Sequence, residues 1–294
     1  MPRFGAVLTA MVTPFRDDLS LDLDGAAALA RWLVDHGSDG LVVGGTTGEA
    51  PTLSVEEHLD LARAVREAVT VPVIVGTGSN DTAHAVEMTR RAAALGADAA
   101  LVVGPYYNRP PQAGLEAHFR AVAAASPDLP IVVYDVPGRT ARRIGHEVLV
   151  RLATEVPNIV AFKDATGDPA STARVVADTP EVFEVYCGDD SLVLPMLAVG
   201  AVGLIGVATH WAGPEVAELI AAHGKGDLAR AREVNARLIP SYDYSNDEVV
   251  VFSMAAKAML RSLGLAVGEC RLPLGPAPAG TEDRARRVYE TLRG

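Results

Sequence analysis

The chain has 294 residues, 49% of them hydrophobic and 21% charged, with a formal net charge of −11. That is enough apolar material for a large core, and it excludes a disordered, highly charged chain. The acidic residues are scattered and no basic stripe is visible, which excludes a surface built to hold nucleic-acid phosphates.

Taken from the N-terminus, residues 6–12 read as a first strand and not as part of a leader, because no convincing cleavage site follows the short apolar run. Helical patterns at 24–36, 55–68, 82–95 and 115–125 then alternate with Val/Ile/Leu-rich strand patterns at 40–43, 73–76 and 99–103. Further strand patterns follow at 131–134, 159–163, 183–187 and 203–207. Alternating strands and helices imply parallel pairing with right-handed crossovers, and eight such units close a barrel. The expected fold class is α/β, a (β/α)8 TIM barrel, with an open doubly wound sheet as the alternative.

Residues 191–209 (SLVLPMLAVGAVGLIGVAT) carry no charge and approach the length of a membrane span. Pro195, Gly200, Gly203 and Gly206 punctuate them, and a short helix followed by a buried parallel strand has the same composition. No membrane association is therefore expected. Residues 214–223, 227–238, 249–263 and 282–292 read as helices after the eighth strand, with no flexible linker before them. Residues 1–224 are thus read as the barrel and 225–294 as a helical extension packed on it. Cys187 and Cys270 lie far apart and form no CxxC pair, as in a reduced, cytoplasmic protein.

In a barrel of this kind, chemistry sits at the carboxyl ends of the strands and in the loops that follow. GGTTGE (44–49) follows the second strand and GPYYNRP (104–110) the fourth. YDVPGRT (134–140) ends the fifth, Lys163 ends the sixth within AFKDATG, and CGDD (187–190) follows the seventh.

The chain has only three lysines, and Lys225 and Lys257 fall in a Gly-flanked loop and on a C-terminal helix, ordinary places for a charge. Lys163 closes an apolar run, where an ammonium is expensive unless it has a use. One reading is a structural lysine paired with a carboxylate. The other is an amine nucleophile that forms an imine with a 2-oxo acid. A free lysine titrates near ~10.4, and bringing it near neutrality takes roughly 4 kcal/mol, which desolvation can supply. Asp164 should point away from the barrel axis, since neighbours on a strand face opposite sides.

Tyr134 ends the neighbouring strand at equivalent depth and could shuttle protons, or it is a core tyrosine. Thr46 and Thr47, between glycines, can offer hydroxyls and N–H groups to a carboxylate, a weak signal by itself. Arg139 could clamp a carboxylate through two hydrogen bonds, although a lone loop arginine is more often a surface residue. GTGSND (76–81) only half resembles a dinucleotide loop, and no GK[ST] is present. The seven histidines are dispersed without HxH or HExxH spacing, so no metal is expected. His210 reads as a packed or loop histidine, and Asp189 and Asp190 as caps of the next helix.

TAMVTPF, GGTTGEAPTL, PYYNRPPQAGL, YDVPGRT, FKDATGD, GDD and the glycine-rich run at 203–207 occur in this order across residues 5–276. Together they resemble the dihydrodipicolinate synthase / N-acetylneuraminate lyase family, and within it the synthases of actinobacteria. The resemblance implies a Schiff-base-forming lyase in which Lys163 forms an imine with pyruvate. Tyr134, Thr46 and Tyr107 would form a hydroxyl proton relay. Tyr107 would reach into the neighbouring subunit's site, which implies a homodimer or homotetramer. Thr47, Gly188 and the backbone at Ile205 would hold pyruvate, and Arg139 the carboxylate of L-aspartate 4-semialdehyde, on the route to diaminopimelate and lysine. No cofactor is implied, because the protonated imine is itself the electron sink.

Asp135 stands where many members carry Asn, and Ala50 where many carry Ser. Relatives acting on N-acetylneuraminate or 2-keto-3-deoxy sugar acids keep the lysine and tyrosine but generally lack the arginine. They remain an alternative, as does a non-catalytic 2-oxo-acid-binding barrel. In lysine-inhibited members an interface cleft binds lysine, and its counterparts here are Val55, His58, Asn80, His84 and Tyr106. Those members carry His in place of Val55 and Glu in place of His84, so weak or absent feedback inhibition is implied.

Overall fold

Eight short runs of mostly β-branched and other apolar residues form parallel strands: β1 Val7–Ala10, β2 Gly40–Val43, β3 Val73–Gly76, β4 Ala99–Val103, β5 Ile131–Asp135, β6 Ile159–Asp164, β7 Glu184–Cys187 and β8 Gly203–Gly206. In this computed structural model, which describes residues 2–246 and 249–294, they close into a barrel in sequence order, β8 pairing back to β1. Such strands are buried on both faces, which is why they read as continuous apolar runs. Leu8, Val42, Ile74, Leu101, Val132, Ala161, Tyr186 and Ile205 fill the interior as one cluster. Their strand neighbours, such as Val7, Leu41, Val133 and Phe162, pack outward against helices.

The outer layer is α1 Leu23–Asp35, α2 Val55–Ala68, α3 Thr82–Ala94, α4 Gln112–Ala124, the single turn α5 Pro137–Thr140, α6 His146–Glu155, α7 Pro169–Asp178 and α8 Val193–Ala198. Their starts are chemically marked. Ser54 and Glu57 form a capping box on α2, and Asp22, Asp81 and Asp168 cap α1, α3 and α7. The uncharged stretch at 191–209 resolves into α8, β8 and the first residue of the next helix. No helix among the described residues is long and apolar enough to cross a membrane.

Four further helices follow β8: α9 Thr209–Gly224, α10 Leu228–Ser245, α11 Phe252–Ser262 and α12 Thr281–Arg293. Val234, Leu238, Met259 and Leu292 join one buried cluster with Val7, Leu33 and Leu204 of the barrel. Trp211 donates to the Ser241 hydroxyl at 3.0 Å, and its ring meets Tyr244 edge to face. Three boundaries of these helices differ from the sequence expectation by more than two residues. Helix α9 starts at Thr209 and not at 214, across a kink at Ala212. Helix α10 runs past residue 238 through Pro240 to Ser245, at the cost of one intrahelical hydrogen bond. Helix α11 starts at Phe252 and not at 249, because three consecutive valines are poor helix formers and Val251 is extended.

Candidate active site

Two strand ends define the site. Tyr134 of β5 and Lys163 of β6 are register partners, so both project inward at the same depth. The lysine nitrogen lies 4.4 Å from the centre of the Tyr134 ring. Lys163 is 6% exposed and makes no ion pair among the described residues. Burial lowers its pKa to about 8, against a smaller opposing pull from Asp190 and Cys187. Burial also pushes the Tyr134 phenol up to about 12, with Arg139 and the Thr46 hydroxyl drawing it back. Asp164 faces the helices: its carboxylate accepts from the Thr172 hydroxyl at 2.7 Å and the Thr166 N–H at 2.9 Å.

The loop after β2 brings in the threonines. Gly44 has φ 64°, and a Cβ there would stand 1.9 Å from His58 Nε2, so only glycine fits. The turn is held by Glu49 N–H donating to Thr46 O at 3.2 Å, and by the Thr13 hydroxyl donating to Gly48 O at 2.6 Å. Thr46, Thr47, Tyr134, Arg139, Lys163, Gly188 and Ile205 line one cavity of about 160 Å³. Tyr107 does not. It is 88% exposed, with a left-handed backbone (φ 70°).

Arg139 sits on α5, the turn after β5, with its guanidinium 4.4 Å from the centre of the Phe252 ring. Phe252 starts α11, and with Ser245 and Asn246 it closes one side of the cavity. Local sequence gives no sign of these three, because they reach the barrel mouth only through packing of the extension. Asp190 was also missed. Asp189 is the cap, accepting from Ser191 N–H at 3.0 Å. Asp190 instead is buried beside Lys163 and accepts from Val207 N–H at 2.9 Å and Ala208 N–H at 3.2 Å. A Cβ at position 206 would stand 2.3 Å from its carboxylate, so Gly206 admits this arrangement. Burial raises the Asp190 pKa to about 6. The doublet GDD was the available signal, and it serves two different purposes.

The expectation for Lys257 is corrected. It is fully buried, 2.7 Å from Glu49, because its face of α11 packs on the barrel. The structural ion pair weighed for Lys163 belongs to Lys257. His210 is buried, accepting from Val12 N–H at 3.1 Å through Nε2 and donating from Nδ1 to Val207 O at 2.8 Å. Cys187 and Cys270 are free and buried.

A second cavity, of about 440 Å³, shares Thr46, Tyr134 and Arg139 with the first and is lined also by His58, Met88, His84 and Tyr106. Val55 and Asn80 are not among its lining residues. Burial lowers the His58 pKa to about 4, so that histidine is neutral.

This arrangement combines a desolvated amine, a phenol at its side and an arginine at the mouth of a small cavity, which suits covalent capture of a 2-oxo acid. Comparison with known proteins agrees. The chain is 47% identical to a 4-hydroxy-tetrahydrodipicolinate synthase of Parasynechococcus marenigrum, over 99% of this chain and 96% of the relative. It superposes on dihydrodipicolinate synthase of Bacillus anthracis with a TM-score of 0.94 and 41% identity, covering 99% of each chain. The corresponding enzyme of Cyanidioschyzon merolae, solved with lysine bound, gives a TM-score of 0.96 and 41% identity over 100% of this chain and 99% of that one. The profile of the Dihydrodipicolinate synthetase family matches residues 3–292, and the chain belongs to that family.

Proposed function

We propose that this protein condenses pyruvate with L-aspartate 4-semialdehyde, the 4-hydroxy-tetrahydrodipicolinate synthase reaction, through an imine on Lys163. The observation that carries the reading is the buried Lys163 amine, lowered to about 8 and without an ion pair among the described residues, beside Tyr134. An amine so poised is partly unprotonated near neutral pH and can attack the keto carbon of pyruvate. Water leaves as the carbinolamine collapses, with Tyr134 delivering and recovering protons. Thr47, Gly188 and the backbone at Ile205 hold the pyruvate carboxylate end.

Loss of a methyl proton turns the imine into an enamine, whose carbon attacks the aldehyde. Arg139, open at the mouth, binds the aldehyde's carboxylate. The substrate's own amine then displaces Lys163 and closes the ring.

Thr46 links Tyr134 to the third relay hydroxyl, Tyr107. A large aromatic at 88% exposure on a left-handed backbone supports a role outside its own subunit. Tyr107 is assigned to the site of a second copy, in a homodimer or homotetramer. The two free, buried thiols support a reducing, cytoplasmic setting.

The test is turnover by purified protein of pyruvate with the semialdehyde, set beside cleavage of N-acetylneuraminate and 2-keto-3-deoxy sugar acids. Condensation with the semialdehyde is expected to dominate. Preferred cleavage of a sugar acid would overturn the assignment.

A further inference from the structure

The loop bearing Thr46 and Thr47 ends on Glu49, a non-glycine residue with a left-handed backbone (φ 58°). Such a conformation costs free energy and persists where the surroundings impose it. Here the surroundings come from the far end of the chain. Lys257 of α11 places its nitrogen 2.7 Å from Glu49 Oε1, and the two side chains are 0% and 1% exposed. The Arg271 N–H donates to Glu49 Oε2 at 2.8 Å. Lys257 also donates to Glu269 O at 2.9 Å and stands 4.2 Å from the centre of the Phe15 ring. Arg271 covers Phe15 as well, at 4.3 Å, and binds Glu57 at the start of α2.

A buried ion pair is a poor source of net stability, because desolvation offsets most of its attraction. What it does supply is a defined geometry. Displacing Glu49 would move Thr46 too, since the Glu49 N–H is bonded to Thr46 O. We infer that Glu49 and Lys257 are a positioning pair through which the C-terminal extension sets the Thr46–Thr47 loop for catalysis. Neither residue lines the cavity that holds Lys163. The inference rests on the reading of Thr46 as a relay hydroxyl.

The experiment compares Lys257→Met and the doubly neutral Glu49→Gln/Lys257→Met, each alone and combined with Thr46→Val, with folding checked by circular dichroism. The double variant leaves no orphaned charge and guards against simple misfolding of the single one. Amide hydrogen exchange across residues 44–52 reads the loop directly. In folded variants exchange there should rise and kcat fall at least tenfold. At saturating pyruvate the final extent of borohydride trapping on Lys163 should stay within twofold. In the Thr46→Val background the further loss should be under twofold, because the loop's contribution is already gone. Unchanged exchange or unchanged kcat in the folded variants overturns the inference, as do losses that multiply with that of Thr46→Val. Full activity of Thr46→Val alone would instead overturn the relay reading, and raised loop exchange would then still support the positioning pair.

Discussion

Lys163 and Tyr134 face each other from neighbouring strands, the amine 4.4 Å from the ring centre and no carboxylate among the described residues paired with it. A lysine kept in this way is available for covalent chemistry. Borohydride with pyruvate is expected to inactivate the protein and leave a reduced pyruvyl group on Lys163. Because the free amine reacts and its pKa is lowered to about 8, the imine formation rate should rise with pH, reach half its plateau near that value and then level off. Peptide mapping by mass spectrometry decides the point, and an adduct on Lys225 or Lys257 would refute the mechanism.

The same burial carries a stability cost. At pH 7 Lys163 is mostly protonated in the folded chain and fully so in the unfolded chain, and only the folded chain has it desolvated. Between the folded value of about 8 and the ordinary ~10.4, the unfolded chain binds more protons, so stability should rise with pH across that window. The cost at pH 7 is at most about 3 kcal/mol. Lys163→Met should therefore abolish activity yet stabilise the fold by ~1–3 kcal/mol at pH 7, a gain that fades as pH rises from about 8 and is gone by ~10.4. Urea unfolding at pH 7 and pH 10 measures it. A variant less stable than the parent at pH 7 would contradict this account.

Among the described residues Arg139 has the Phe252 ring and no carboxylate as its partner, which leaves its hydrogen-bond donors for a substrate. Arg139→Ala should form the pyruvate imine normally but lose one to two decades in kcat/KM for the semialdehyde, as expected for ~1.5–3 kcal/mol. Phe252→Leu removes the ring and should cost roughly two- to thirtyfold in the same parameter, from ~0.5–2 kcal/mol of cation–π contact. Phe252→Tyr should restore most of it. Normal semialdehyde kinetics in Arg139→Ala would make that arginine a bystander.

Lysine is expected to inhibit weakly or not at all. The family resemblance implies a glutamate, in members that respond to lysine, where this chain has His84. In this structure His84 lines the larger cavity with His58 and Tyr106, and His58 is neutral. Losing the charge-assisted bond costs ~1.5–3 kcal/mol, or about tenfold to a hundredfold in affinity. A lysine titration of synthase activity at subsaturating pyruvate tests this, and half-inhibition at submillimolar lysine would show that other residues complete a site.

The sequence by itself determined the elements and the depth of the chemistry. Buried β-branched runs and amphipathic helices repeat with local periods, so the eight strands, the closed barrel and the strand-end placement of Tyr134 and Lys163 could be read residue by residue. The tertiary structure alone decided which side chains meet across long stretches of chain. Lys257 falls on a helix where a lysine is ordinary, and only the fold brings Glu49, 208 positions earlier, against it. Phe252 reaches Arg139 because the extension folds over the barrel mouth, and Asp190 departs from capping because Val207 and Ala208, just after β8, offer it two N–H groups. Periodicity records which face of an element is buried. It carries no information on which distant residue will lie against that face, since packing sets that partner only when the chain is folded.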